Sequence, residues 1–289
     1  MDVSLQILLG LVAALAWGLG DFLSRGPTGR IGTSGLILAL GGVGALALVS
    51  LIAVLGTPFP AEAPWWAWAL AAGLGLLNVL AAHLIFRCFY EGPLSITSPV
   101  SASYAAITFL LALFTGETAS ALGYVGLLLV LVGVPLAATP HLERGALRRP
   151  GKGLLYALAA ALLYGFLFWA YKYATPHLGG PYTTLIARSE QFLVILLLLV
   201  VGAVRIPATA RSWRPWGVAA GVALLDTTAM AATVTGTSGG EAAVVVAISS
   251  AYSVVTVSLA LAFLRERLAP HQWVGVALVA LGVVMVSMG

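Results

Sequence analysis

Residues 94–104 have the sequence LSITSPVSASY, and residues 242–252, which lie 148 positions further along the chain, have the sequence AAVVVAISSAY. Both stretches are rich in small side chains and carry hydroxyl groups, and each ends in a tyrosine, Tyr104 or Tyr252. Small residues of this kind let helices approach closely within a membrane. The shared pattern indicates that one segment occurs twice in the chain, once in each half.

Other landmarks recur with almost the same spacing. The pairs that lie 147 to 149 positions apart are Trp17-Gly18 with Tyr164-Gly165, Asn78 with Asp226, and Glu117, Gly126 and Gly133 with Glu266, Gly275 and Gly282. The offset changes by one residue at a time, as short insertions in loops would produce. The chain therefore consists of two halves that repeat each other.

The amino-acid composition indicates whether the protein lies in water or in a membrane. Of the 289 residues, 61% are hydrophobic and 8% are charged, whereas soluble domains carry roughly 25% charged residues. Such a chain cannot cover itself with a water-facing surface, so it must lie in a lipid bilayer. Roughly ten spans of about 20 residues each would use the whole length. We predict an all-α membrane protein with ten transmembrane helices and no separate soluble domain.

Apolar stretches interrupted by Gly, Pro and charged residues mark the predicted helices. Their approximate bounds are 4–23, 33–55, 65–86, 94–114, 119–138, 153–173, 181–204, 214–235, 241–263 and 270–288. A charged linker, residues 139–152, separates a first five-helix repeat, residues 1–138, from a second, residues 153–289. Because five is an odd number, the second repeat must enter the bilayer from the opposite side. Two inverted five-helix repeats are typical of secondary transporters that work by alternating access.

The positive charges predict the orientation of the helices. Twelve of the fourteen Lys and Arg residues lie at the odd-numbered connections between predicted helices. The positive-inside rule places such connections in the cytoplasm, and both termini then lie outside. The charges form no stripe with interleaved aromatic residues, so no nucleic-acid partner is predicted. The single cysteine, Cys88, and four scattered histidines give no metal-ligand spacing, so neither a metal nor a cofactor is predicted.

Several landmarks resemble one known family. They are Gly116-Glu117 followed by Gly126 and Gly133, the echo Arg265-Glu266-Arg267-Leu268 followed by Gly275 and Gly282, Trp17-Gly18, and the run SAYSVV at residues 250–255. The chain is similar over essentially its whole length to the EamA-type ten-helix carriers of the drug/metabolite transporter superfamily. The resemblance implies a central cavity between the halves, a small metabolite as substrate and no shared catalytic residues. It also implies cytoplasmic termini, the reverse of what the charges indicate.

Ionisable residues inside predicted spans are candidates for function, because a charge at mid-bilayer costs roughly 2.5–3.5 kcal/mol on insertion scales. Asp226 and Arg188 lie at similar depths in predicted helices eight and seven, so they could form one buried ion pair. Such a pair is either a structural clamp or a switch for a proton or a substrate. Glu190, two residues further on, is a second candidate for a coupling group. Asn78, the repeat mate of Asp226, either lines the same site or forms an interhelical hydrogen bond.

Hydroxyl and aromatic side chains supply the remaining candidates. The hydroxyl candidates in predicted helices four and nine are Ser98, Ser101, Tyr104, Ser250 and Tyr252. They form either a cavity wall or a surface for close helix packing. The aromatic candidates in predicted helices one and six are Trp17, Tyr164 and Trp169. Their faces either stack on an aromatic or cationic substrate or fill the core.

Three other acidic residues are interpreted structurally. Asp21 lies close to the predicted end of helix one, where a charge reaches the membrane surface or the mouth of a cavity without forming a site. Glu117 and Glu266 lie in tight turns and are interpreted as holding the turns and the starts of helices. None of the three is a predicted site residue.

These features predict a secondary active transporter for a small metabolite, such as an amino acid or a similar amphipathic compound. Alternating access with proton coupling or exchange is the expected mechanism, for a monomer or homodimer in the plasma (inner) membrane. A channel, a lipid or drug flippase and a membrane scaffold are the alternatives. An intramembrane protease is a remote one, because Gly18-Leu19-Gly20-Asp21 matches a protease string but Asp226, its possible partner, lacks an adjoining Tyr. We predict no enzymatic activity.

Overall fold

The structure is a computed structural model that describes residues 3–116, 120–138, 151–237, 248–249 and 251–287. Over these ranges the chain is helical and contains no β-strand. The α-helices are α1 (Val3–Leu55), α2 (Trp65–Glu91), α3 (Leu94–Ala102), α4 (Tyr104–Phe114), α5 (Ala121–Ala138), α6 (Lys152–Leu178), α7 (Gly180–Val200), α8 (Trp213–Thr237), α9 (Tyr252–Phe263) and α10 (Pro270–Ser287). A short 3₁₀ helix, Ala208–Arg211, precedes α8.

Many of these helices can cross a bilayer. Six candidate spans are long and apolar enough, by length and composition, to cross a bilayer. In this count both parts of α1 form one span, and α3 and α4 together form another. Three shorter apolar helices, Ala121–Ala137, Tyr252–Phe263 and Pro270–Met285, accompany them. The prediction of an all-α integral membrane protein is therefore confirmed.

Helix α1 corresponds to the first two predicted helices. Gly32 divides it, with φ 73° and ψ 165°, a backbone conformation that glycine adopts readily. Residues 3–31 form the first arm and residues 33–55 form the second arm. The predicted end of the first helix near residue 23 is wrong, because the helix continues through Pro27 up to the break. This correction places Asp21 well inside the helix instead of near its end.

The predicted fourth helix is also divided, and its break has a counterpart in the second half. Ser103 separates α3 from α4, and its hydroxyl donates to the carbonyl oxygen of Val100 at 2.7 Å. Ala251, at the equivalent position before α9, has nearly the same φ and ψ as Ser103. Each break directly precedes the tyrosine that ends the repeated segment, Tyr104 or Tyr252. The repeated segment therefore marks a local change of helix direction that positions these tyrosines.

Two glycines, one in each half, make the same kind of close contact with a helix of the other half. A side chain at Gly18 in α1 would collide with Val255 and with the carbonyl oxygen of Tyr252. A side chain at Gly165 in α6 would collide in the same way with Ile107 and with the carbonyl oxygen of Tyr104. Both glycine carbonyls then accept a threonine hydroxyl: Thr256 Oγ1 donates to Gly18 O at 3.2 Å, and Thr108 Oγ1 donates to Gly165 O at 3.0 Å. The Trp-Gly and Tyr-Gly landmarks are thus helix-packing motifs.

The glycines of the repeated Glu-Gly-Gly pattern bring α5 and α10 together. A side chain at Gly133 would meet the carbonyl oxygen of Gly275, and one at Gly282 would meet the carbonyl oxygen of Gly126. The contacts are reciprocal, since Gly133 and Gly282 are repeat mates, as are Gly126 and Gly275. Small residues at such positions allow the backbones of two membrane helices to pack closely.

Glu266 holds the start of a helix in the other half. Its carboxylate accepts hydrogen bonds from the backbone N–H groups of Leu94, at 3.1 Å, and Ser95, at 2.9 Å, and from the Ser95 hydroxyl at 2.6 Å. It also pairs with Arg25 of α1 at 3.3 Å. A carboxylate at a helix N-terminus stabilises the unpaired N–H groups there. The interpretation of Glu266 is confirmed for α3, while Glu117 lies outside the described residues.

Candidate functional site

One cavity of the bundle is lined by residues from both halves of the chain. Helices α1, α2 and α4 of the first half and α6 to α9 of the second half contribute to its wall. The lining residues are Trp17, Asp21, Leu40, Asn78, Ala82, Ile85, Phe86, Tyr104, Tyr164, Phe168, Tyr171, Arg188, Gln191, Asp226, Met230 and Tyr252.

One polar network crosses the cavity from half to half. Arg188 of α7 forms an ion pair with Asp226 of α8, and its Nη1 donates to Gln191 Oε1 at 2.9 Å. Gln191 Nε2 then donates to Asn78 Oδ1 on α2 at 2.7 Å. At the other end of the network, Trp17 Nε1 on α1 donates to Asp226 Oδ1 at 3.1 Å. The Arg188 side chain is only 2% exposed, so its charge depends on Asp226 for compensation.

Aromatic rings form a continuous wall beside this network. The ring of Tyr104 lies 5.0 Å from Phe168, 6.5 Å from Tyr164 and 6.5 Å from Tyr252, measured between centroids. Trp17 packs edge-on against Phe168 at 6.1 Å and Tyr252 at 6.0 Å. Because these rings come from α1, α4, α6 and α9, the wall joins both halves. It presents aromatic faces and edges to anything that occupies the cavity.

Asp21 is the third charged residue of the cavity. It lies one helical turn after Trp17 on the same face of α1, and the residue is only 7% exposed. In the part of the chain that the structure describes, its carboxylate has neither an ion-pair partner nor a hydrogen-bond donor. Asp226 lines the same cavity, and two carboxylates in one cavity repel each other when both are charged. The sequence predicted that Asp21 lies near a helix end. The structure corrects this prediction, because Asp21 is buried in the cavity wall.

The structure brings together seven of the sequence-predicted candidates. Those that line the cavity are Trp17, Asn78, Tyr104, Tyr164, Arg188, Asp226 and Tyr252. Ser101 lies behind this wall, where its hydroxyl donates to Ser98 O at 2.8 Å and lies 3.3 Å from Tyr252 Oη. The Ser98 hydroxyl is fully buried and has no hydrogen-bond partner within the described ranges. Ser250 lies outside the described residues.

Two candidates do not line the cavity. Glu190 is turned about 200° around α7 from Arg188, and its Oε2 packs against Gly75 of α2. Trp169 is turned about 140° around α6 from Tyr164. Its ring lies 5.5 Å from Lys172 Nζ and 5.4 Å from the Tyr173 ring. The rotation of each helix therefore points these two side chains away from the cavity.

Several cavity residues were missed by the sequence analysis, although the repeat contains a signal for one of them. Phe168 is the repeat mate of Asp21, at an offset of 147. Leu40 is the mate of Arg188, and Ala82 is the mate of Met230, each at an offset of 148. Applying the offset to the candidate Arg188 would have found Leu40, whereas the other two pairs contain no residue that was a candidate. Tyr171, Ile85 and Phe86 have no lining mate of this kind.

Comparisons with known proteins identify a fold and, for the second half of the chain, a family. No curated protein matches the chain. A solved protein described only as "Crystal structure of protein" has the same fold, with a TM-score of 0.69 at 17% sequence identity over 98% of this chain and 96% of its own. Residues 151–288 match the model of the EamA-like transporter family. The resemblance stated from the sequence is confirmed: the second half of the chain, residues 151–288, belongs to the EamA-like transporter family of the drug/metabolite transporter superfamily.

Proposed function

We propose that this protein is a secondary transporter for a small metabolite and that the cavity lined by both of its halves is the substrate site. The observation that carries the proposal is the polar network from Asn78 to Trp17, which lies in the cavity and is built from both halves. A carrier needs a site of this kind, because the same groups must serve the substrate when either side is open.

We further propose that the halves, residues 1–138 and 153–289, are inverted repeats joined by the linker 139–152. Repeat mates among the lining residues support this. They are Trp17 with Tyr164, Asp21 with Phe168, Leu40 with Arg188, Asn78 with Asp226, Ala82 with Met230, and Tyr104 with Tyr252. The matched contacts of Gly18 and Gly165 add independent support. A pseudo-symmetric cavity can open to either side by related movements of the two halves.

Contacts between the halves at one end of the bundle are candidates for the closed gate. Arg25 of the first half pairs with Glu266 of the second at 3.3 Å, and it also donates to Gly92 O at 3.3 Å. Gly92 at the end of α2 packs directly against Gly153 at the start of α6. Alternating access requires these contacts to separate while contacts at the opposite end form.

We also propose that the ion pair of Arg188 and Asp226 couples this movement to its driving force. The pair joins α7 to α8, and Trp17 of α1 binds the same carboxylate. A proton or a substrate that neutralises Asp226 would release both contacts at once. The carrier would then be proton-coupled or would exchange one substrate for another.

Counterflow in proteoliposomes tests the proposed function. Purified protein is screened with amino acids, polyamines, nucleosides and sugars. Saturable uptake that is stimulated by unlabelled substrate inside the vesicle is expected. Ala82→Trp, which fills the cavity, should abolish this uptake, whereas Leu80→Trp, on the exposed face of the same helix, should not. Flux that neither saturates nor shows counterflow would indicate a channel and contradict the proposal.

A further inference from the structure

We propose that the substrate of this cavity is an organic monocation with an apolar or aromatic body, and that Asp21 is its counter-ion. This inference rests on the proposed function, because it assigns a substrate class to the same cavity. Three observations carry it: the number of positive and negative residues that line the cavity, the partners that each charged group has, and the aromatic wall.

The charged lining residues leave one negative charge uncompensated. They are Asp21, Arg188 and Asp226. Arg188 and Asp226 form an ion pair and cancel each other. Asp21 has no basic partner of this kind, so its charged form is strongly disfavoured inside a membrane protein unless a cation binds beside it. A bound cation would supply the missing compensation.

The nearest basic residue on the same helix is already engaged. Arg25 lies one turn beyond Asp21, but its Nη1 contacts the Glu266 carboxylate and the Gly92 carbonyl oxygen, both at 3.3 Å. Trp17, one turn before Asp21, donates its N–H to Asp226. Across the described ranges, no other side chain donates to the Asp21 carboxylate. Asp21 is only 7% exposed, and its carboxylate is available to a ligand that enters the cavity.

Aromatic rings line the same cavity as this carboxylate. They include the rings of Tyr104, Tyr164 and Tyr252, which line the cavity together with Asp21. Trp17 and Phe168 complete the same wall through edge contacts of about 6 Å. A cation over the face of an aromatic ring is attracted by the ring quadrupole, and desolvation strengthens this attraction. The wall and the carboxylate therefore favour the same type of ligand.

A zwitterion or an anion fits this cavity less well. Arg188 is the one cation among the lining residues, and its two terminal nitrogens already bind Asp226 and Gln191. Only its Nε lacks a partner among the described groups. A substrate carboxylate would have to compete with Asp226 for the guanidinium group and would also be repelled by Asp21. An amino acid would therefore bind more weakly than the corresponding amine.

A metal ion is also disfavoured. Among the described residues, no group of three or more His, Cys, Asp or Glu side chains could hold a metal ion. The wall around Asp21 consists mainly of aromatic and aliphatic side chains rather than of oxygen ligands. An organic cation matches both features, because its charge meets the carboxylate while its body contacts the rings.

Binding of matched phenyl compounds to the full-length purified protein tests the assignment. The probes are phenethylamine, 2-phenylethanol, L-phenylalanine and 3-phenylpropanoate, which share a ring and differ in charge. Calorimetry should show phenethylamine binding at least about tenfold more tightly than the other three, as expected for a desolvated charge pair. Asp21→Asn should remove this preference, and Asp21→Glu should retain much of it. Glu62→Gln, in an exposed loop, should leave every affinity unchanged.

The outcomes separate this inference from the proposed function. Equal or tighter binding of L-phenylalanine or 3-phenylpropanoate overturns the cation assignment. An unchanged phenethylamine preference in Asp21→Asn also overturns it. If Ala82→Trp still abolishes binding in either case, the cavity remains the substrate site. If Ala82→Trp leaves binding intact, both proposals fail. Should Asp21→Asn not fold, Asp21→Glu and the probe series on the natural protein decide the question.

Discussion

Trp17 Nε1 donates a hydrogen bond to Asp226 Oδ1 at 3.1 Å, although the two residues lie 209 positions apart in the chain. This bond joins the first helix of one half to α8 of the other inside the cavity. The same carboxylate binds Arg188, so Asp226 is the point where the two halves and the buried cation meet. When one half moves against the other, the contacts of Asp226 with Trp17 and Arg188 must either move together or break.

The indole N–H of Trp17 should matter more for transport than its ring. Trp17→Phe keeps an aromatic ring beside Phe168 and Tyr252 but loses the donor to Asp226. A hydrogen bond to a charged group contributes about 1.5–3 kcal/mol, so we expect the initial rate of counterflow to fall by about tenfold or more. Trp169→Phe is the matched control, because Trp169 lies outside the cavity, and its rate should stay near that of the natural protein. Equal effects of the two substitutions would contradict this role.

The ion pair of Arg188 and Asp226 predicts a strong coupling between two substitutions. Removing one partner leaves a buried charge unpaired, which typically costs about 3–5 kcal/mol. Arg188→Leu and Asp226→Asn should therefore each lower the thermal stability of the purified protein. The double variant carries the residues that Leu40 and Asn78 provide at the equivalent positions of the first half, and it should be more stable than either single variant. Additive losses in the double variant would show that the pair is weak.

The matched glycine contacts predict matched losses of stability. Gly18→Ala and Gly165→Ala each place a methyl group against the backbone and a β-branched side chain of a neighbouring helix. Such overpacking typically costs about 1–3 kcal/mol. Gly221→Ala, where nothing lies within 4 Å of the added group, is the control and should not destabilise the protein. Thermal unfolding in detergent measures all three, and a tolerated Gly18→Ala or Gly165→Ala would refute the close contact.

The repeat explains how much of the fold could be predicted from the sequence. The offsets between Tyr104 and Tyr252, and between Gly18 and Gly165, reflect packing contacts that the two halves share. The composition predicted the membrane, because apolar side chains have no other solvent in which to lie. The long α1 was divided at the wrong place, since Pro27 and the charges after Asp21 resemble a helix end. The actual break depends on the backbone of Gly32.

The candidate site was predicted only in part, because the sequence does not fix the rotation of each helix. Trp17 and Tyr164 line the cavity, whereas Trp169 and Glu190, in α6 and α7, point away from it. Asp21 was missed for a different reason. Its distance from the helix end was misjudged, so a buried carboxylate was interpreted as a residue near the membrane surface. A contact such as that of Trp17 with Asp226 depends on both helix rotations and cannot be found by spacing alone.

The positive charges predict the sidedness of the protein. Twelve of the fourteen Lys and Arg residues lie at the odd-numbered connections, so we expect these connections to be cytoplasmic and both termini to be external. A small epitope at the C-terminus should bind its antibody on intact cells. Binding only after permeabilisation would show that the termini are cytoplasmic, as the family resemblance implies. An epitope in the linker, residues 139–152, is the control and should give the opposite result.

Alternating access to the cavity can be measured directly at position 82, which lines it from α2. Ala82→Cys is introduced together with Cys88→Ala, which removes the single natural thiol. A membrane-impermeant thiol reagent is then applied to right-side-out and to inside-out vesicles. Leu80→Cys, on the lipid-facing side of the same helix, is the unreactive control. We expect Cys at position 82 to be labelled from both faces of the membrane. Labelling from one face only, or from neither, would contradict a carrier that works through this cavity.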